Sequence, residues 1–122
     1  MKRLSVERIK QIHHLMIEET GGMDGVRDEG LLESAVNAPF QTFDDVPLYK
    51  TIEAKAARLG YSLINNHAFI DGNKRTGMMA MLLFLELNGS GKDYTDEEII
   101  HVGLALADGS IDDKALLDWI LD

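Results

Sequence analysis

Apolar residues recur at helical spacing along almost the whole chain, with capping residues and glycine or proline breaks between the stretches. Val6, Ile9, Ile12, Met16 and Ile17 fall on one stripe of a first helix, with Ser5 placed to cap it and Gly21, Gly22 and Gly25 to stop it. Asp28 is placed to cap a second, shorter helix carrying Leu31, Leu32, Ala35 and Val36, closed by Pro39. The stretch Pro39–Lys50 holds both prolines and no helical period, so it reads as a surface loop. Ile52, Ala56, Leu59 and Leu63 line a third helix over Thr51–Asn66. After a break at His67–Asn73 comes a fourth helix, Lys74–Asn88, apolar on nearly every face from Gly77 to Leu85, the mark of a helix buried by its neighbours. Thr95 and Glu98 have capping-box spacing for a fifth helix. Asp112 is placed to cap a sixth that carries Leu116, Leu117, Trp119 and Ile120. Six short helices and no credible strand pair predict an all-α bundle, a single domain over residues 1–122, around a central buried helix.

Composition narrows the function classes. At 122 residues and 45% hydrophobic, the chain can build one core and has no room for a second. It has no cysteine, which excludes disulfides and thiolate metal sites and fits the reducing cytoplasm expected for it. Met1-Lys2-Arg3-Leu4-Ser5 runs into charged residues without the apolar core of a signal peptide. The apolar run Gly77–Leu85 is too short for the roughly 20 residues that cross a bilayer, so no membrane association is expected. The formal net charge of −9, with basic residues scattered, argues against direct nucleic-acid binding. Any anionic ligand must then be held by a local device working against the overall field.

Such a device is written in His67-Ala68-Phe69-Ile70-Asp71-Gly72-Asn73-Lys74-Arg75-Thr76, which leads into the buried fourth helix. A helix N-terminus offers unpaired N–H groups and a partial positive charge, which together bind phosphate. Gly72 lets the backbone approach a ligand closely, Asn73 can cap the helix or donate its amide, and Lys74 and Arg75 add two cations in one turn. Asp71 is a hard oxygen ligand suited to Mg²⁺, and His67 is the side chain most easily used as a base near neutral pH. Phe69 reads as an apolar anchor pinning the loop to the core. Singly, each has an ordinary explanation: a helix-end histidine, an Asp-Gly turn, solvated charges. Together they make an anion-binding loop with the parts for nucleotide-dependent transfer to a hydroxyl.

The segment resembles the Fic-family signature H-P-F-x-[DE]-G-N-G-R-x-x-R, matching it at His67, Phe69, Asp71, Gly72, Asn73 and Arg75. It departs where Ala68 replaces the proline, Lys74 the second glycine and Met78 the final arginine. Those departures resemble the Doc (death-on-curing) toxin branch, H-x-F-x-[DE]-[AG]-N-K-R-T. The Arg27–Ala35 segment and the Asp108-Gly109…Trp119 tail are also similar to Doc sequences. The resemblance implies a compact helical bundle that uses ATP and Mg²⁺ to transfer the γ-phosphate to a threonine of elongation factor Tu, and is silenced by an antitoxin with a disordered tail. It implies His67 as base, Asp71 as magnesium ligand, and Gly72, Asn73, Lys74 and Arg75 as phosphate contacts. Phe40, Gln41, Thr42 and Phe43 fall where the family carries a target-positioning flap. No [ST]-x-x-x-E-[GN] self-inhibitory motif is present; the nearest approach, Thr20…Asp24-Gly25, has the wrong acid.

Two other functions share these residues. A protein adenylyltransferase would use the same loop, with only Lys74 and Met78 against it. A non-catalytic binding module would keep the fold, although base, metal ligand and cradle are all present. A hydrolase metal site built from His13, His14 and His67 is disfavoured, because adjacent helical residues point about 100° apart. One of the pair is expected to pack inward and the other to meet solvent.

Overall fold

The apolar periodicity predicts six helices, and six form: α1 (Val6–Thr20), α2 (Glu29–Asn37), α3 (Ile52–Asn66), α4 (Asn73–Leu87), α5 (Asp96–Ala107) and α6 (Asp113–Leu121). In this computed structural model, which describes residues 1–122, side chains cap five of them. Ser5, Asp28, Thr51 and Asp112 each accept the N–H of the residue three positions on, and Thr95 with Glu98 forms the full capping box. The exception is α4, whose first residue follows Gly72 at φ 77° with no side-chain cap.

The helix without a cap is also the central one. It packs most extensively on α3, with α1 and α5 on its other sides, while α2 and α6 cover the outer face of α3. Met78, Met81, Phe84 and Leu85 of α4 are fully buried among Leu32, Leu63, Ile64, Leu106, Leu116 and Ile120. Each such side chain contributes about 1.5–3 kcal/mol of transfer free energy. Within the run Gly77–Leu85, apolar on nearly every face, Met79 is 42% exposed, and beyond it Leu87 is 38% exposed. Met79 is apolar for another reason: it faces the cleft described below. No helix is long and apolar enough to cross a membrane.

The expectation of no strand pair needs correction. Within Pro39–Lys50, a 3₁₀ turn (Ala38–Phe40) is followed by β1 (Thr42–Phe43) and β2 (Val46–Pro47), an antiparallel hairpin. Asp44 and Asp45 join the strands with φ of 51° and 63°, the sign pattern of a type I′ turn, and the Leu48 N–H closes the hairpin on the Gln41 carbonyl at 3.0 Å. The hairpin escaped notice because that turn is usually signalled by Asn-Gly or Asp-Gly. Strands of two fully exposed residues also carry no alternation of burial.

The α3–α4 crossing tolerates no side chain at its closest point. A β-carbon on Gly77 would lie 2.6 Å from Ile64 Cγ1 and 3.1 Å from the Gly60 carbonyl oxygen. Glycine to alanine inside a helix ordinarily gains about 1 kcal/mol. Here Gly77→Ala should instead lower unfolding free energy by about 1–3 kcal/mol, the usual cost of overpacking. Urea unfolding followed by circular dichroism measures it, and a stabilised variant would contradict the close crossing.

Candidate active site

The connection from α3 to α4 is hung on outside supports. His67 ends α3 in the left-handed region (φ 50°, ψ 47°), a conformation that costs a non-glycine residue about 1–2 kcal/mol. Arg27 holds it there: its Nε donates to the His67 carbonyl at 2.7 Å and its Nη2 to the Asn66 carbonyl at 3.4 Å. The backbone N–H groups of Arg27 and Asp28 both donate to the Ala68 carbonyl, and Ile70 donates to Gly25, so residues 25–28 and 68–70 run as a short antiparallel bridge. Phe69 is buried and stacks on the His13 ring, centroids 3.9 Å apart and planes 6° from parallel. The Asn73 side chain brackets Phe69, accepting its N–H and donating to its carbonyl, each at 3.0 Å. That amide is therefore committed to the loop, and a phosphate contact from Asn73 would have to come from its backbone N–H.

Asp71 is oriented by three contacts. Its Oδ1 accepts the Gly72 N–H at 2.8 Å, its Oδ2 accepts the Met23 N–H at 3.3 Å, and its carbonyl accepts from His13 Nε2 at 2.7 Å. Gly22 makes room for the carboxylate, since a β-carbon there would lie 2.7 Å from Oδ2.

These elements enclose one end of a cleft of about 860 Å³. Its polar end is His67, Asp71, Gly72, Asn73, Lys74 and Arg75, the residues singled out in the sequence. Its walls are mostly apolar, Met16 and Ile17 from α1, Met78 and Met79 from α4, Ile99, Ile100 and Leu104 from α5, with Glu19 and Thr20 of α1 and Asp96 of α5 among them. The N–H groups of Asn73, Lys74 and Arg75 have no partner in the protein, and the exposed Lys74 and Arg75 side chains form no ion pair. Free amides, a helix dipole and two cations line a space that is otherwise largely apolar, with Glu19, Thr20 and Asp96 as its other polar side chains. The cleft thus matches a ligand with an anionic end and an apolar body.

The residues expected in a target-positioning flap lie apart from the cleft. Phe40, Gln41, Thr42 and Phe43 do not line the cleft. Phe40 ends the 3₁₀ turn, meets Phe84 edge-on at 6.3 Å and lies 3.8 Å beneath the Arg3 guanidinium, so it belongs to the core margin. The exposed loop is the hairpin Gln41–Leu48, which presents Phe43, Val46 and Leu48 to solvent.

The family model described as Fic/DOC family matches residues 3–85, the span that holds the loop, its supports and most of α4. The chain belongs to the Fic/DOC family. It is 49% identical over 69 residues to "Toxin Doc" of Mycolicibacterium smegmatis, covering 57% of this chain and 53% of that protein, so the match spans about half of that relative's length. It is 27% identical over 120 residues to "Protein kinase doc" of Escherichia phage P1, covering 98% of this chain and 94% of that protein. Both relatives carry the Doc name, the branch that Lys74 and Met78 resemble.

The supports of this Fic/DOC loop were the part missed in the sequence. Arg27 entered only through resemblance, and of His13 and His14 one was expected to pack inward and the other to meet solvent. His13 is the one that packs inward, at 1% exposed, while His14 meets solvent. A signal existed: His13 falls between Ile9 and Met16-Ile17 on the apolar stripe of α1, where a polar residue needs a buried partner. No group of three metal-ligating side chains gathers anywhere, so a three-histidine site does not form.

Outside the cleft, Asp24 is clamped to α1. His14 Nδ1 lies 2.6 Å from Asp24 Oδ2, and His14 Nε2 lies 3.0 Å from Glu18 Oε1. The bond to Asp24 raises the His14 pKa above its ordinary 6.5, with the Glu18 charge adding to it, and the same bond holds Asp24 below 3.8. A raised histidine contributes stability that is complete below pH 6.5 and lost as pH climbs through the raised value; a lowered carboxylate contributes above 3.8 and loses it on acidification. The clamp is therefore strongest between those two limits. His14→Ala should lower the urea midpoint more at pH 6 than at pH 9, with the two proteins converging as pH rises. A difference independent of pH would show that no ion pair forms.

Proposed function

We propose that this chain is a Doc-type toxin of a toxin–antitoxin module, a protein kinase that moves the γ-phosphate of ATP to a hydroxyl of a translation factor. The observation that carries the reading is the α4 N-terminus. Among six α-helices it alone lacks a side-chain cap, and its free amides, Lys74 and Arg75 face a cleft shared with His67 and Asp71. The names of the two relatives, a Doc toxin and a Doc protein kinase, support the same class.

The residues divide the work as follows. His67 takes the proton of the incoming hydroxyl as its oxygen bonds to the transferred phosphorus, and the bond from that phosphorus to the departing ADP oxygen breaks. Gly72 opens the turn, and the N–H groups of Asn73, Lys74 and Arg75 with the two cationic side chains hold the negative oxygens. The apolar walls from α1 and α5 receive the nucleoside. Asp71 fits a magnesium ion only in part. Two backbone N–H groups already occupy its oxygens and no group of three ligating side chains forms around it, so an ion there requires phosphate oxygens to complete its shell. When bound, Mg²⁺ neutralises charge between the outer phosphates. Met78, 1% exposed against Gly103, offers no guanidinium to a polyphosphate chain, and Lys74 fills the space that a glycine would leave. Both features disfavour presentation of the α-phosphate and favour kinase over adenylyltransferase chemistry.

By the same resemblance the target is elongation factor Tu, modified at a threonine in the cytoplasm, with the Phe40–Leu48 loop, which carries the hairpin, as the target-positioning flap. The missing self-inhibitory motif favours silencing in trans by an antitoxin with a disordered tail.

Label from γ-labelled ATP, and none from α-labelled ATP, should appear on a translation factor in bacterial extract; the reverse pattern would make the protein an adenylyltransferase. His67→Ala should cut transfer by about 10²–10⁴, the usual loss for a general base, and relieve the growth arrest caused by the parent. A variant as toxic as the parent would return His67 to a structural role.

A further inference from the structure

His13 is a buried imidazole that the proposed chemistry does not use. It is 1% exposed on α1, its ring lies flat on Phe69, and Nε2 sits 2.7 Å from the Asp71 carbonyl oxygen. A carbonyl only accepts, so the proton of this bond belongs to Nε2. The same ring edge abuts Gly72, whose added β-carbon would stand 3.6 Å from Nε2. On the far side Asp24 Oδ1 is 3.4 Å from Nδ1. The helix fixes the root of the side chain and the stack fixes the ring plane, so the direction of the Nε2–H is determined twice over.

The carbonyl it holds belongs to the peptide unit that joins Asp71 to Gly72. Turning that unit over changes ψ of Asp71 and φ of Gly72 in opposite senses and leaves the course of the chain nearly unchanged. Most residues resist the turn because one sign of φ is closed to them. Gly72, at φ 77°, has both signs open. One local brake is the Gly72 N–H bonded to Asp71 Oδ1, but that carboxylate is the group required by an ion on the phosphates. When it is drawn there the brake weakens, and only the bond from His13 still specifies the plane.

We infer that His13 is a positioning residue that locks the Asp71–Gly72 peptide, so that the Asp71 carboxylate and the first amides of α4 face the cleft together. This rests on the kinase reading for its effect on turnover, though not for the hydrogen bond itself.

Two substitutions separate the donor from the ring. His13→Phe keeps the stack on Phe69 and deletes the donor, whereas His13→Gln keeps an amide donor at similar reach. His13→Phe should fold and melt close to the parent, yet lose between about tenfold and a hundredfold in kcat, the scale of a misplaced reacting group, with KM for the protein target unchanged. His13→Gln should recover most of that loss. Calorimetric titration with Mg²⁺ and ADP should show the same order of affinities, parent and His13→Gln above His13→Phe. Parent-like kcat and ADP affinity in His13→Phe would overturn the inference, as would a His13→Gln variant that folds yet is no better than His13→Phe. Should either variant fail to fold, ¹⁵N NMR of the parent decides. A proton on His13 Nε2 coupled through the hydrogen bond to the Asp71 carbonyl carbon is expected, and an Nε2 without a proton would overturn it. If the parent transfers no phosphate, the kinase reading falls, while the NMR and ADP measurements still test His13.

Discussion

The backbone contact between α3 and α4 is the constraint on which the rest depends. With Gly77 pressed against Ile64 and the Gly60 carbonyl, the two helices meet too closely for any side chain between them. The end of α3 and the start of α4 are then brought to one corner of the molecule, and the six residues between Asn66 and Asn73 must turn within it. His67 accepts a left-handed conformation to do so, and Gly72 supplies another at the far side. An imidazole and a helix N-terminus become neighbours because two helices are packed to backbone distance.

Packing also places cationic groups together on a protein that is acidic overall. At a net charge of −9 the long-range field is unfavourable to anions, yet it is screened within about 8 Å in physiological salt. Inside that range three free amides, the α4 dipole, Lys74 and Arg75 act against the carboxylates of Asp71, Glu19 and Asp96. A capping side chain at position 72 would occupy some of those amides. The other five α-helices start on Ser, Asp or Thr, and α4 starts on glycine.

The loop is stiffened from elsewhere in the chain. Arg27 grips the last carbonyls of α3, His13 grips the Asp71 carbonyl, and the Gly22-Met23 backbone lies against the Asp71 carboxylate. Asn73, in the motif itself, is spent on closing the turn around Phe69. The side chains that shape the site are thus partly distinct from those that face a ligand, and the first group lies up to 58 residues away in sequence.

Periodicity and caps determined the helices. The signals for all six are local, 3.6-residue spacing in each and a polar residue at the capping offset in five, and the amides, Gly72, Lys74 and Arg75 at the start of α4 likewise belong to one turn. The hairpin was lost because its turn uses Asp44-Asp45 and its strands bury nothing. Only the tertiary structure decided that Phe40 serves the core margin, that Met79 faces a cleft and that His13 and Arg27 hold the loop. A hydrogen bond from an imidazole to a carbonyl 58 residues away leaves no trace in spacing, since it depends on where two helices cross, and that is settled by the packing of side chains from every element at once.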